Sequence, residues 1–327
     1  MKKNLISYLK KIVASTKALK VTFNAHNKVQ NLKVRKLIDG IISPIGFINL
    51  QREILQKDKF NAPNSLAIAI IIKNEAPYIQ EWIEYHIKKG FKKIYLYDNE
   101  STDNLVGILQ KYIATGVVEY KLLPGVARQM DAYNDALRKS RKKREYLMFL
   151  DADEFVFLKR QTDNFLELVN EYFSSNSSIG GLAINWVVFG SSGFIEKTPG
   201  LVTQKYVMRS NNDFEVNKHV KTICDPRKVA GVLNPHYPEY LPNYYAVNLQ
   251  YEVVEGAFSK HDVNARVRIN HYFTKSKEEF EAKKSRGMAD SDRTRKDSEF
   301  ALHDRNEVRD ESMHAYGEYL NRRCNNG

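Results

Sequence analysis

Two cysteines in 327 residues leave no disulfide framework. Cys224 and Cys324 lie far apart and outside any C-x-x-C spacing, so the usual zinc patterns are absent as well. A reducing compartment is the expectation. No apolar run approaches the roughly 20 residues that a spanning helix needs, and the N-terminus alternates lysines with short apolar groups instead of carrying a secretory signal. The expected location is cytoplasmic. Neither G-x-G-x-x-G nor G-x-x-x-x-G-K-[ST] occurs, which removes the dinucleotide fingerprint and the P-loop. Internal repeats, long low-complexity stretches and RNA-binding motifs are missing too, so no nucleic acid is expected as a partner.

Acids are absent from Met1 to Lys36, a stretch with nine lysines and one arginine. Leu5, Ile6, Leu9, Ile12 and Val13 recur there at helical spacing, which predicts a basic amphipathic helix, either lying on anionic lipid or packed on the domain. "LIDGIISPIGFINL" (37–50) follows, to join the core or enlarge the lipid patch. The formal net charge of +12 asks for an anionic partner.

From Ser65 the pattern turns regular. "SLAIAIIIK", "KKIYLYD", "GVVEYKLL" and "YLMFLD" read as strands, with helical stretches between them that include Ile79 to Ile87, Leu105 to Ile113 and Arg128 to Ser140. Strict alternation of strand and helix predicts an α/β fold with a mainly parallel, doubly wound sheet. Ligands bind beyond the carboxyl ends of such strands. Three polar clusters stand there: Lys73, Asn74 and Glu75, then Asp98, then Asp151 to Phe155. Later segments "TQKYVMRS", "HVKTICDP" and "RVRINHYF" read as shorter strands, and "KSKEEFEAKKSRG" as a helix.

"LMFLDADEF" (147–155) carries the strongest chemical signal. An apolar strand ends in Asp151 and Asp153 around a small Ala152, so two carboxylates can address one hard divalent cation while a diphosphate approaches closely. Of the histidines, His219, His236 and His271 stand out, and His271 is placed to complete an Asp/Asp/His site. Lys221, with Lys218 and Arg227, makes a basic group suited to a diphosphate; Arg128, Gln129 and Asp131 open a helix that can face the same cleft. Trp186, Phe189, Gly190 and Ser192 in "NWVVFGSSG" suit stacking on a sugar beside a flexible loop. Each also has an ordinary reading as core, cap or surface charge.

Taken in order, "KNEAPYIQEWIEYHIKKGFKKIYLYDNESTDN", "LDADEF", "NWVVFGSSG" and "INHYFTKSKEEFEAKKSRG" resemble glycosyltransferases of the family 2-like group with the family 92 pattern, over roughly residues 65–290. The resemblance implies a GT-A type nucleotide-sugar-binding sandwich with a C-terminal acceptor region. It implies donor contacts at Lys73, Asn74, Glu75 and Asp98, to which the basic residues add Arg128 and Lys221. It also implies a D-x-D metal, Mn²⁺ or Mg²⁺, at Asp151 and Asp153, with His271 nearby, and inversion at the anomeric carbon. Asp213 and Glu215, in the acceptor half, are the candidate bases. Family 92 is associated with galactose transfer; the shortage of cysteine and of an N-terminal anchor relative to animal members points to a bacterial enzyme. The expected division is 1–60 as a basic, membrane-associating segment, 61–158 as the donor half, 159–290 as the acceptor half and 291–327 as a charged helical tail. The expected reaction moves a sugar from a UDP-linked donor to a bacterial surface glycan or lipopolysaccharide, at the inner face of the membrane. A metal-dependent phosphohydrolase and a basic nucleic-acid or membrane-binding protein are the alternatives.

Overall fold

The computed structural model describes residues 2–160, 162–260, 262, 265–289 and 291–325. Three helices lead in: α1 (Lys2–Lys17), α2 (Lys20–Lys28) and α3 (Leu32–Gln56). The predicted alternation follows as β1 (Ser65–Ile72), α4 (Ala76–Lys88), β2 (Phe91–Asp98), α5 (Leu105–Ala114), β3 (Val118–Leu122), α6 (Gln129–Lys143) and β4 (Glu145–Phe149). β1 is buried from Leu66 onward and pairs in parallel with β2 on one side and β4 on the other, which is why it reads as unbroken apolar sequence. Gly90, at φ +94°, lets the chain leave α4 and turn directly into β2.

The second half contributes β5 (Glu154–Leu158), α7 (Phe165–Ser175), β6 (Ile179–Val188), a single turn α8 (Val202–Lys205), β7 (Met208–Arg209), β8 (Val220–Cys224), β9 (Val229–Val232), β10 (Pro238–Tyr240), β11 (Tyr245–Val247), β12 (Val253–Val254) and β13 (Val267–His271). The chain ends with α9 (Lys277–Ser285), α10 (Asp297–His303), β14 (Val308–Arg309) and α11 (Gly317–Asn325). The main sheet runs β12-β11-β6-β8-β4-β1-β2-β3, with β13 joined to both β6 and β5. It is largely parallel, as expected, but β8 lies antiparallel between β4 and β6.

"TQKYVMRS" departs from its reading as a strand. The buried Glu81 carboxylate on α4 accepts the backbone N–H groups of Val202 and Thr203, at 2.7 and 2.9 Å, and so caps α8; only Met208 and Arg209 remain extended, paired with β14. A partner 121 residues away in sequence outweighs local preference.

The first sixty residues are closely packed on the sheet domain along one side. Ala14 of α1 presses its backbone against Gly231 of β9, so closely that a Cβ on that glycine would overlap the Ala14 carbonyl. α1 crosses α3 at Gly46 with similar closeness to Thr16 and Ile12. α2 delivers His26 to Asp131, Nδ1 to Oδ1 2.7 Å. No helix among the described residues is long and apolar enough to cross a membrane.

Candidate active site

β4 ends at Phe149, and the chain passes through Asp151-Ala152-Asp153 into β5. α4 holds that junction from behind: Trp82 Nε1 donates to the Glu154 carbonyl at 2.8 Å and the Tyr85 hydroxyl to the Val156 carbonyl at 2.9 Å. β13 runs antiparallel to β5 with His271 opposite Glu154, and parallel to β6 with His271 opposite Val188. This register carries the imidazole to the acidic turn. Tyr272 N–H then donates to the Asp153 carbonyl at 2.8 Å and closes the corner.

Each acid of the D-x-D meets a lysine. Lys221 Nζ lies 2.8 Å from Asp151 Oδ2 and 3.3 Å from the buried Glu154 Oε2, while Gln129 Nε2 donates to Asp151 Oδ1 at 3.2 Å. Lys283 Nζ donates to Asp153 Oδ2, and His271 Nε2 stands 3.6 Å from Asp153 Oδ1. Burial opposes ionisation of Asp153, yet the Lys283 ammonium beside it holds its carboxyl well below the usual range. Burial lowers the His271 pKa against the pull of Asp153, which favours the neutral ring, and brings Lys283 down to about 8. Glu154, desolvated beside two other carboxylates, is pushed up to about 8 despite Lys221.

A cavity of ≈ 230 Å³ opens over this turn. Its walls include Glu75 from the end of β1, Trp186 from β6, His236, Phe273, Lys283 and Arg286. Trp186 is the hub of an aromatic group: the His271 ring centroid is 4.2 Å away, and His219 stacks at 4.9 Å with 18° between planes. A second, more basic recess of ≈ 500 Å³ adjoins it, sharing Lys73, Phe273, Lys283 and Arg286 and adding Lys197 and Lys275. Lys275 Nζ sits 3.7 Å above the Tyr78 ring and 3.9 Å from Glu75.

Of the residues singled out by sequence, Lys73, Glu75, Gln129, Asp151, Asp153, Trp186, His236 and His271 line the main cavity, and Asn74 lines the recess. The others are engaged elsewhere. Asp98 is buried, accepting Ser101 N–H and the Tyr120 hydroxyl, each at 2.8 Å. Arg128 turns away to the His26 carbonyl and the Asn27 side chain, tying α2 to the start of α6. Lys221 is sealed beneath the acids it pairs with instead of facing the cavity. Phe189 is in the core, Gly190 abuts the Arg305 carbonyl, and Ser192 binds Asn306 and the β7 backbone. Glu215 pairs with Lys218 at the surface, and Asp213 is likewise exposed; neither lines the cavity. At Gly190 and Ser192 the loop after β6 follows the C-terminal segment that packs on it, which local sequence does not reveal. Lys283 and Arg286 carry no role in the sequence reading, although their three-residue spacing after "INHYF" marks one helical face.

The described residues show no cluster of three or more His, Cys, Asp or Glu side chains drawn around one point. The Asp153 and His271 pair nevertheless fits one side of a divalent-cation site: an ionised oxygen and a neutral imidazole nitrogen 3.6 Å apart at the edge of a cavity. Asp151 is turned from them toward Lys221.

Acids, an imidazole and ammonium groups thus gather past the strand ends of an α/β sheet. The family model for glycosyltransferase family 92 matches residues 67–303, and the chain belongs to that family. A family 92 protein of Oryza sativa subsp. japonica is 30% identical over 149 residues, 45% of this chain and 25% of that protein. One from Ricinus communis is 25% identical over 218 residues, 64% of this chain and 39% of its own length. The chain therefore spans well under half of these relatives. Among solved structures, residues 1–349 of S. aureus TarS give a TM-score of 0.34 at 16% identity, covering 50% of this chain and 47% of that one. The same TarS segment in complex with UDP gives 0.34 at 17%.

Proposed function

We propose that the chain is a glycosyltransferase moving a sugar from a nucleotide-sugar donor to a glycan or glycolipid hydroxyl, with inversion at the anomeric carbon. Membership of family 92 supports the class. The observation that carries the site assignment is the convergence of Asp153, His271 and Lys283 at one wall of the cavity. The donor we infer is UDP-linked, with galactose the first sugar to try. A bacterial surface glycan or lipopolysaccharide remains the first acceptor to try, on the sequence reading alone.

In this reading Asp153 and His271 would hold Mn²⁺ or Mg²⁺, with Asp151 as a further candidate ligand, and the ion would supply a counter-charge to the departing diphosphate. The chain's own residues do the rest. Lys283, Arg286 and Lys73 face the cavity and neutralise phosphate oxygens as negative charge grows on them. Trp186 offers an apolar wall for a sugar ring, and Phe273 a second. The incoming hydroxyl must lose its proton opposite the leaving group. Asp213 and Glu215 lie away from the cavity, so Glu75, with Oε2 buried and lacking a hydrogen bond, replaces them as the acid to test.

A thermal-shift screen against UDP, GDP, CDP and CMP, each with Mn²⁺, Mg²⁺ or EDTA, tests the reading. A shift for UDP that EDTA removes supports it, because a ligand that binds only the native state raises apparent stability. No shift with any nucleotide sinks it. Incubation with UDP-galactose and release of UDP then tests the sugar.

A further inference from the structure

The sequence places an apolar stripe on α1 and leaves 37–50 to join the core or enlarge a lipid patch; the folded chain exposes a larger stripe there, on α3. Leu37, Ile41, Pro44 and Ile48 follow one another at spacings of four, three and four residues, which puts them on one helix face. Leu37 is 63% exposed, Ile41 and Ile48 68%, and Leu55 further along 77%. The opposite face makes the contacts: Asp39 pairs with Lys17, Gly46 lies against Thr16, Asn49 donates to the Ser15 carbonyl, and Leu50 is buried. On α1, Leu5, Ile6 and Leu9 are each more than half exposed.

This concentration is unlike the rest of the molecule. Of the 21 large hydrophobic side chains exposed among the described residues, 12 fall between Leu5 and Leu55. An apolar patch of that size on a folded chain is normally covered by something. Charge identifies the cover. Lys33 and Lys36 are exposed one turn before the α3 stripe, Arg52 flanks its far end, and Lys10 flanks the stripe of α1. With no acid before Asp39, the surface carries a cationic rim around an apolar centre. Neither helix is apolar enough to cross a bilayer, so the arrangement suits a helix pair lying in the headgroup layer.

We propose that the outer faces of α1 and α3 form one docking surface for an anionic lipid bilayer. The two helices move as a unit, because Gly46 lets them touch backbone to backbone and Gln51 Nε2 donates to the Tyr8 hydroxyl at 3.1 Å. α2 joins this unit to the start of α6 through His26 and Asp131, next to Gln129, which bonds to Asp151. The surface stands independently of the transferase reading, since none of its residues lines the cavity.

Vesicle flotation of the full chain tests it. Vesicles of phosphatidylcholine with about 30% phosphatidylglycerol are compared with phosphatidylcholine alone. Two double variants follow, Leu37→Glu with Ile41→Glu and Lys33→Glu with Lys36→Glu, all at exposed positions. The expected result is recovery with the anionic vesicles about tenfold above the neutral ones, falling about tenfold in either variant and with added salt. Equal binding to both vesicle types, or variants that float like the parent, overturns the proposal. So does a protein that ignores vesicles and elutes as a dimer which Leu37→Glu with Ile41→Glu dissociates, for then a second copy covers the face. Unchanged melting temperature and unchanged nucleotide-dependent stabilisation in the variants separate a failure of this surface from a failure of the active site.

Discussion

His271 Nε2 and Asp153 Oδ1 stand 3.6 Å apart because the register of β13 on β5 sets His271 opposite Glu154, one residue past the acid. Two strand ends, more than a hundred residues apart in the chain, thus supply a carboxylate and an imidazole to one wall.

If that pair holds the cation, Asp153→Asn and His271→Ala each abolish the Mn²⁺-dependent part of nucleotide binding and lower turnover by about a hundredfold or more. Isothermal titration with Mn²⁺ and UDP measures the first, and UDP release the second. Unchanged Mn²⁺ affinity in His271→Ala assigns the histidine to packing against Trp186.

Lys221 pairs with both Asp151 and Glu154. Lys221→Met leaves two carboxylates crowded and is expected to cost about 3–5 kcal/mol in urea unfolding. Adding Asp151→Asn should restore part of this, since it removes the charge that Lys221 neutralised, Glu154 being largely protonated below its pKa of about 8. A double variant no more stable than Lys221→Met alone contradicts that account.

Glu279 governs a pH effect on stability. Burial raises its pKa, but hydrogen bonds from Ser276, Tyr206 and Tyr78 outweigh this and hold it at about 2, below the ordinary 4.5. The folded value is depressed, so the stabilisation is present above pH 4.5 and is lost as pH falls toward 2. A shift of that size corresponds to at most about 3 kcal/mol. Urea midpoints at pH 5 and pH 3 should differ less in Glu279→Gln than in the parent; equal slopes refute the assignment.

Gly46→Val forces a side chain into Thr16 and Ile12. We expect a loss of about 1–3 kcal/mol confined to the α1 and α3 pair. Limited proteolysis should then cut within residues 1–56 while UDP binding is retained. Loss of both together would show that the helices are integral to the catalytic core.

The strands β1, β2 and β4 were readable because a strand covered on both faces must be largely apolar, and nothing in that argument depends on distant residues. Asp151, Asp153 and Glu75 were readable for a related reason: carboxylates at the end of such a run sit past the sheet, where ligands bind. His271 was legible from the alternation in "RINHYF". Arg128 was misjudged because its partners come from α2, Phe189 because β13 and Tyr272 bury it, and Gly190 and Ser192 because the C-terminal segment that engages them was invisible from their own neighbourhood. Lys283 and Arg286 lay in plain sight, but nothing local distinguishes a lysine that will face a buried acid from one in a solvated helix.

Composition and periodicity thus established an α/β chain with an acidic turn past its fourth strand and a basic, apolar leading segment. Which cations meet those acids, which face of α3 stays bare, and which predicted residues are drawn into the core were decided by long-range packing. Helix and strand periodicity is a property of neighbours in sequence; the charge environment of Asp151 and Asp153 is set by β8 and α9, 70 and 130 residues away.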